Sequence, residues 1–412
     1  MEITKMGEIA LKAAEQLSII DSETKNKALL TAAEDLVLYE NEILAANKID
    51  IENAKEKGLS TALIDRLLLT PERIKSMAKG LVVISKEPDP VGKTLEEFCP
   101  KNKLKIKKIS VALGVIGIIY EARPNVTADA AAICIKSGNS VILRGGKEAI
   151  NSNKAIAKIL SDAFCKAGLL KGAINLIEDT SRSSATELMN LKALSVIIPR
   201  GGASLIKHTL ENSKVPVIET GTGNCHAYVD SFADLTMAKN IVVNAKCSRP
   251  SVCNALETLL VHEDIANEFL PFLYHGLKKY DCKIIGCDKT CEILPDAKKA
   301  EEEDYMYEAL DYVLSVKVVK NIEDAVKHIK KYSSNHSECI ITNNKDNADY
   351  FTKVIDSAAV YVNASTRFTD GGEFGFGAEI GISTQKMHVR GPMGAKHLVS
   401  YKYIINGEGQ TR

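Results

Sequence analysis

The chain has 412 residues, which is too long for a single hydrophobic core, so two or three packed domains are expected. It carries 53 basic and 53 acidic residues, and this balance argues against binding to nucleic acid or to an anionic membrane surface. No stretch approaches the roughly 18 apolar residues of a transmembrane helix, and the N-terminus lacks the apolar core of a secretion signal, so we expect a cytoplasmic protein.

The first eighty residues are predicted to be helical. Two long segments of mixed charged and apolar residues end near Gly58 and Gly80, and the second begins at Thr70-Pro71-Glu72. That triplet supplies an N-cap, a proline in the first turn and an acid that favours the helix dipole. Residues 86–100 indicate a turn-rich connector, and the alternation over 103–109 predicts a strand with one solvent-facing side.

From Val111 onward, strands and helices alternate in two series. Such alternation is typical of parallel sheets that are covered on both faces. The sequence therefore predicts an α/β fold with two doubly wound parallel-sheet domains, joined near residues 230–244. The predicted strands are 111–120, 140–143, 173–177, 194–198 and 215–218 in the first series, and 257–261, 282–285, 312–319, 339–342 and 358–362 in the second.

Ten cysteines are scattered along the chain, which favours reduced thiols in a cytosol over a disulfide framework. Cys282, Cys287 and Cys291 cluster, but their spacing matches no common zinc pattern, so no metal is predicted there.

Cys253 is a candidate nucleophile in the segment 244–254. It lies between a predicted helix and a predicted strand, where Arg249-Pro250 would turn the thiol out of the helix. The positive charges of Arg249 and Lys246 would favour a thiolate. A buried structural thiol is the alternative, and composition does not choose between Cys253 and Cys247.

Two basic, glycine-containing turns follow predicted strands, at 143–147 and at 199–203. A strand, a turn of small residues and a helix N-terminus together are typical of a phosphate site, although the full dinucleotide fingerprint is missing and a plain turn is the alternative. Glu219, in the glycine-containing segment 219–224, is a candidate general base or a solvated turn residue. The glycine-rich segment 370–377 is predicted to be a flexible loop or lid.

These motifs together resemble the aldehyde dehydrogenase superfamily and, within it, the family of glutamate-5-semialdehyde dehydrogenases, or gamma-glutamyl phosphate reductases. The similarity covers nearly the whole chain and is dense after residue 111. It rests on segments in the right order: 114–127, 141–149, 198–203, 217–226, 249–254 and 360–394.

The resemblance implies catalytic roles. It selects Cys253 as the nucleophile, because Glu219 precedes it at the separation that the superfamily has between its loop glutamate and catalytic cysteine. Asn125 matches the asparagine that donates to the oxyanion beside the backbone N–H of Cys253. Cys247 departs from the family pattern, where a residue such as threonine is expected, and adds a second thiol.

The resemblance also implies an NADPH cofactor. Arg144 falls where the superfamily has a lysine that faces the adenine ribose, and Gly201 and Gly202 match the turn beside the pyrophosphate. Glu308 aligns with the glutamate that holds the nicotinamide ribose. Preference for NADPH is expected from three cations suited to a 2′-phosphate, namely Arg144, Lys147 and Arg200.

The implied reaction is NADPH-dependent reduction of L-glutamyl 5-phosphate to L-glutamate 5-semialdehyde and phosphate, through a Cys253 thioester, in proline biosynthesis. Since no kinase segment precedes residue 1, we expect a separate reductase with a functional link to glutamate 5-kinase. Arg367 is a candidate for binding the substrate α-carboxylate, and a structural ion pair is its alternative. Two other functions stay open: a hydrolytic aldehyde dehydrogenase with Glu219 as the water-activating base, and a catalytically silent nucleotide-binding or assembly protein.

The resemblance finally implies three domains and a homo-oligomer, either a dimer or a tetramer. Residues 1–102 and 123–228 are expected to form the NADPH-binding domain, and 229–364 the catalytic domain with Cys253. Residues 103–122 and 365–412 are expected to pair as a small β oligomerisation lobe.

Overall fold

The computed structural model describes residues 2–412, apart from the side chains of residues 61 and 62. Within that part of the chain, no helix is long and apolar enough to cross a membrane. The helices are α1 (Ile3–Ile19), α2 (Ser22–Leu38), α3 (Glu40–Glu56), α4 (Thr61–Leu67), α5 (Pro71–Lys86), α6 (Asn125–Lys136), α7 (Ile150–Lys166), α8 (Arg182–Met189), α9 (Ala203–Asn212), α10 (Leu235–Cys247), α11 (Glu263–Leu277), α12 (Asp288–Ile293), α13 (Ile322–Tyr332) and α14 (Lys345–Val354). The strands are β1 (Thr94–Phe98), β2 (Lys105–Ala112), β3 (Val115–Tyr120), β4 (Ser140–Gly145), β5 (Ile174–Leu176), β6 (Val196–Arg200), β7 (Cys225–Val229), β8 (Leu256–His262), β9 (Lys283–Gly286), β10 (Lys298–Lys299), β11 (Val313–Val319), β12 (Ser337–Ile341), β13 (Ala359–Val362), β14 (Ile382–Ser383), β15 (Gly391–Pro392) and β16 (Val399–Asn406).

The chain divides into two compact units. The first reaches to Thr220 and takes in Gly375–Gly381 and Met393–Arg412. The second consists of Gly221–Phe374 and Ile382–Pro392. The predicted α/β class with parallel sheets is confirmed, because each unit has its own parallel sheet with helices on it.

The first unit is built on a four-stranded parallel sheet in the order β5-β4-β3-β6. Strand β3 is central and all six of its residues are buried, which explains why this segment is a continuous apolar run. The chain moves from β3 outward to β4 and β5 and then returns to place β6 on the other side of β3. The carboxyl ends of β3 and β6 therefore meet at a topological switch point, where open α/β sheets bind ligands.

The N-terminal helices follow the predicted signals at one place and depart from them at another. Helix α5 begins as expected, since the Thr70 side chain accepts a hydrogen bond from the Arg73 N–H and Pro71 occupies the first turn. The helix does not end near Gly80, however, and runs on to Lys86. A single glycine in a helix costs only about 1 kcal/mol relative to alanine, and the buried apolar face of α5 outweighs that cost.

A three-stranded antiparallel ribbon, with the order β1-β2-β16, also belongs to the first unit. The predicted strand over 103–109 is confirmed as β2, whereas the predicted connector at 86–100 contains β1. The predicted lobe 103–122 is too long at its end, because β3 lies in the parallel sheet. The fully apolar β3 needs cover on both faces, which the edge of an exposed ribbon does not supply.

The second unit is built on a seven-stranded parallel sheet in the order β10-β9-β11-β8-β7-β12-β13. Strand β7 is an interior strand of this sheet, between β8 and β12, and was not among the predicted strands. The predicted strand 215–218 was wrong, because only Val217 forms an isolated bridge, to Ile197. A row of buried polar residues crosses the middle of the sheet at one level, where Glu338, His226, Thr258 and Ser315 are register partners.

Candidate active site

Cys253 lies on the turn between α10 and β8, as the sequence predicts, and is partly buried. Its competitor Cys247 is the last residue of α10 and lies in the apolar core of the second unit. Its thiol interacts with that of Cys282. Cys253 is thus partly accessible, whereas Cys247 is buried.

Gly223 presses directly against the backbone of Cys253. A β-carbon placed on Gly223 would come within 1.5 Å of the Cys253 carbonyl oxygen, so no other residue fits there without a backbone shift. The Gly223 N–H donates to Glu308 Oε1 at 2.7 Å, and the Cys225 thiol lies 3.2 Å from the same Cys253 carbonyl. Burial raises the pKa of Glu308, while the hydrogen bond from Gly223 acts against it. The segment that follows Glu219 therefore packs against the turn that carries Cys253.

Asn254 and Arg367 tie the other side of the turn to a distant segment. Asn254 Nδ2 donates to the Arg367 carbonyl at 3.2 Å and to the Thr369 carbonyl at 2.9 Å. Arg367 Nη1 donates to Asn254 Oδ1, and Arg367 Nε donates to Ser248 Oγ at 3.1 Å. Burial, with the nearby charge of Arg249, lowers the pKa of Arg367, but a guanidinium stays charged in proteins.

Lys246, which the sequence analysis expects to add positive charge near Cys253, is paired with an acid in the structure. Its side chain is fully buried, and its ammonium forms an ion pair with Glu257 at 2.8 Å. Burial raises the pKa of Glu257 to about 7, although Lys246 opposes that shift. When Glu257 is ionised, its carboxylate offsets the charge of Lys246, and Arg367 is a second cation whose charge interacts with Cys253.

The cofactor candidates other than Glu308 lie at the carboxyl edge of the first unit's sheet. Arg144 is the penultimate residue of β4, and its Nη2 donates to the Thr180 and Ser181 carbonyls at 2.7 and 2.9 Å. Its buried Nε has no hydrogen-bond partner within the described residues. Burial lowers the pKa of Arg144, as expected for a partly enclosed cation. Lys147 is exposed just beyond β4, and Arg200 ends β6.

Gly201 and Gly202 form the turn between β6 and α9. The Gly202 N–H, at the helix N-terminus, donates to Glu121 Oε2 at 2.9 Å. A β-carbon on Gly201 would lie 2.6 Å from the same oxygen. A carboxylate thus occupies the position where a helix N-terminus would receive a phosphate. This turn and the side chains of Arg144, Lys147 and Arg200 offer donors and positive charge that suit an anionic dinucleotide. Binding of a phosphate at the helix N-terminus would require the Glu121 carboxylate to move away from the Gly202 N–H.

Asn125 is the first residue of α6, at the carboxyl end of β3. Its Nδ2 donates to Asp129 Oδ2 at 3.0 Å, one helical turn later. Burial raises the pKa of Asp129 to about 6, although the bond from Asn125 and the charge of Arg200 lower it. Because a carboxylate only accepts hydrogen bonds, an ionised Asp129 fixes the orientation of the Asn125 amide.

Glu219 is half-buried near the end of the first unit, and its neighbour Thr220 is anchored there by a 2.7 Å hydrogen bond to the Pro199 carbonyl. The structure therefore groups Cys253, Glu308 and Arg367 in the second unit, and gathers the remaining candidates in the first. Sequence reasoning missed Gly223, Asn254, Glu121 and Asp129. The first three lie in or beside quoted motifs, but only their tertiary partners reveal what they do.

No group of three or more histidine, cysteine or acidic residues among the described residues is arranged to hold a metal ion. Cys282, Cys287 and Cys291 are free thiols; Cys282 interacts with Cys247, and the Cys287 and Cys291 thiols contact Thr290 Oγ1 and the Gly286 carbonyl.

Comparison with known proteins gives one consistent result. The aldehyde dehydrogenase family model matches residues 1–306. The chain is 56% identical to the gamma-glutamyl phosphate reductase of Caldanaerobacter subterraneus subsp. tengcongensis, and the match covers both chains completely. The crystal structure of gamma-glutamyl phosphate reductase from Thermotoga maritima is 47% identical, with a TM-score of 0.97 and full coverage of both chains. An acetylating aldehyde dehydrogenase from Geobacillus thermoglucosidasius, at 17% identity and a TM-score of 0.72, shares the fold over the whole chain and 97% of its own.

Proposed function

Because the chain belongs to the aldehyde dehydrogenase family, we propose that it is an NADPH-dependent reductase of L-glutamyl 5-phosphate, producing L-glutamate 5-semialdehyde and phosphate for proline synthesis. The observation that carries the proposal is the Cys253 turn, which presents one thiol and is supported on both sides by Gly223 and Asn254. Full-length identity to relatives named for this reaction supports the choice of substrate.

The chemistry begins with the Cys253 thiolate, which attacks the acyl carbon of the substrate. The carbon–oxygen bond to phosphate breaks, phosphate leaves as an anion, and a thioester forms. When bound, NADPH supplies the hydride that reduces this thioester. The resulting thiohemiacetal collapses to the aldehyde and returns the thiolate.

Negative charge develops on the carbonyl oxygen during this reaction. We propose that the side-chain amide of Asn125 and the backbone N–H of Cys253 stabilise it by hydrogen bonds. One such donor is worth roughly 3 kcal/mol in transition-state stabilisation. The hydrogen bond to Asp129 is compatible with this role, because it uses one N–H of the Asn125 amide and leaves the second N–H as a donor for the substrate.

Arg144, Lys147 and Arg200 would bind the phosphates of the cofactor, with the Gly201-Gly202 turn against the pyrophosphate and Glu308 on the nicotinamide ribose. Guanidinium and ammonium groups suit a 2′-phosphate, which is the basis for proposing NADPH over NADH. Arg144 already uses one nitrogen for two carbonyl groups, so its orientation is set before a ligand arrives.

An acyl phosphate hydrolyses in water and must be made by transfer of phosphate from a nucleotide to the γ-carboxylate of glutamate. We therefore propose a functional link to glutamate 5-kinase, which carries out that class of reaction.

The deciding assay measures oxidation of glutamate semialdehyde by NADP with and without phosphate. We expect turnover to require phosphate, because phosphate attacks the thioester in the reverse direction. Turnover without phosphate would instead support the hydrolytic alternative, with Glu219 activating water.

The same assay tests the nucleophile. Cys253→Ala should abolish turnover and leave NADPH binding and the melting temperature near normal, because it removes only the attacking atom. Cys247→Ala, the matched control in the buried core, should keep most activity. If the two variants gave the opposite result, the assignment of Cys253 would be wrong.

A further inference from the structure

We propose that Asn254 and Arg367 form a lock that positions the Cys253 thiol, and that Arg367 acts on the nucleophile and not on the substrate α-carboxylate. The lock is the set of hydrogen bonds that joins Asn254 to the segment Ser365–Thr369. This inference rests on the proposed function, in which Cys253 is the nucleophile.

Asn254 is nearly completely buried and is held through its side chain and its backbone. Its amide nitrogen donates to the Arg367 and Thr369 carbonyls, and its amide oxygen accepts from Arg367 Nη1. Its own backbone carbonyl accepts from Thr366 Oγ1 at 2.8 Å. Aspartate would lose both donated bonds and alanine the whole side chain, so asparagine is the residue type that this set of partners requires.

The partner segment is itself anchored to the sheet. Thr369 Oγ1 lies 2.7 Å from the Tyr361 hydroxyl and 2.6 Å from Ser337 Oγ, and these residues belong to β13 and β12. The Ser365 hydroxyl accepts from the Arg367 N–H at 3.3 Å. The lock therefore fixes the position of Asn254, the residue that follows Cys253, relative to strands β12 and β13.

The opposite side of Cys253 is closed by Gly223, whose α-carbon lies against the Cys253 carbonyl. The peptide unit between Cys253 and Asn254 is thus held between Gly223 and the lock. A nucleophile needs this kind of support, because a misplacement of about 1 Å can cost roughly a hundredfold in rate.

Two nitrogens of the Arg367 guanidinium already donate hydrogen bonds within the protein, and this favours a role in positioning Cys253 over binding of the substrate carboxylate. Its Nη1 and Nε are directed at Asn254 and Ser248, both in the nucleophile turn. Its positive charge and a Cys253 thiolate attract each other. A residue that acts through Cys253 should alter kcat and thiol reactivity, whereas a carboxylate-binding arginine should alter KM for the semialdehyde.

The experiment measures three quantities on each variant: kcat and KM for phosphate-dependent semialdehyde oxidation, and the rate of Cys253 alkylation by iodoacetamide, followed on its peptide by mass spectrometry. Asn254→Ala and Arg367→Lys should lower kcat and the alkylation rate together, by about ten- to hundredfold for Asn254→Ala. KM should stay within about twofold. Arg367→Lys keeps the charge, so it should lose less alkylation rate than Arg367→Ala. In the control variant Cys247→Ala, iodoacetamide should alkylate Cys253 at the wild-type rate.

A rise in KM after Arg367→Lys, with kcat and alkylation unchanged, would return Arg367 to the substrate and overturn the lock. Unchanged values in Asn254→Ala would also overturn it. Should Asn254→Ala not fold, Arg367→Lys decides alone. Alkylation does not require turnover, so an inactive wild type would contradict the proposed function while the lock is still judged on thiol reactivity.

Discussion

Gly223 has almost no room for a side chain. Its α-carbon faces the Cys253 carbonyl so closely that an added methyl group would overlap it. Gly223→Ala should therefore shift the nucleophile turn and lower stability by about 1–3 kcal/mol, the usual cost of overpacking. Activity should fall more steeply than stability, because the shift displaces Cys253.

The control is Gly80→Ala in α5, where the added methyl group would meet Asp129 Oδ1 at an ordinary 3.8 Å. This change should stabilise the protein by up to about 1 kcal/mol through helix propensity. Urea unfolding and steady-state rates measured on both variants give the comparison. Normal activity in Gly223→Ala would mean that the close approach is not needed for catalysis.

The residues of the candidate site differ in how well the sequence could predict them. Cys253 lies within a motif whose turn chemistry, Arg249-Pro250, is local and can be read directly. The partnership of Asn254 with Arg367 joins positions more than a hundred residues apart, and no local pattern encodes it. The ion pair of Lys246 with Glu257 was not foreseen either, because the contact depends on how helix α10 packs against strand β8. The roles assigned to the site residues stay predictions.

At the scale of single elements, β12 carries a buried acid in the polar row across the second sheet. Burial raises the pKa of Glu338 from its ordinary value of 4.5 to about 7, although a hydrogen bond from Ser333 lowers it. Its proton is therefore held more tightly in the folded state than in the unfolded chain. The stability it contributes is fully present below pH 4.5 and is lost as the pH rises to about 7.

Glu338→Gln keeps the shape of the neutral side chain and removes this titration. Relative to the variant, the wild type should lose up to about 3 kcal/mol of unfolding free energy as the pH rises through that window. Urea unfolding at several pH values measures the difference. Glu323→Gln, on the exposed surface of α13, should run parallel to the wild type. Parallel curves for Glu338→Gln as well would show that Glu338 does not titrate in this range.

Elements were predicted well where a periodic pattern was long or a cap was explicit, as at Thr70 and in β2. They were missed where tertiary contacts decide. Strand β7 has only five residues and all of them are buried, so it shows neither a long periodic pattern nor an alternation of buried and exposed positions. Segment 215–218 has a similar composition but finds only one bridging partner. Position in a sheet, and not propensity, separates the two.

At the scale of the whole molecule, the ribbon exposes several large apolar side chains. Leu95, Tyr403 and Ile405 are more than half exposed, and the last two are on one face of β16. This supports the proposal of a homo-oligomer, dimer or tetramer, that assembles through the ribbon. The assembly itself stays a prediction.

Removal of residues 401–412 should shift the protein to a smaller species in light scattering. The double variant Tyr403→Lys and Ile405→Lys should give the same shift while it keeps the strand. Lys402→Ala, on the opposite face of β16, is the control and should keep the wild-type mass. An unchanged mass in the double variant would count against the ribbon as an interface.

The division of the chain between its units has a consequence for gene fusion and recombination. The backbone passes from one unit to the other at 220–221 and again at 374–375, 381–382 and 392–393. A crossover at the first of these points would separate the four-stranded sheet of the first unit from β16 and from the buried Met393 and Leu398, which belong to the same unit. Chimaeras that exchange the second unit must therefore carry two separate inserts, 221–374 and 382–392, into one host gene. Recombination that moves both units together therefore needs fewer crossovers than recombination that exchanges one unit alone.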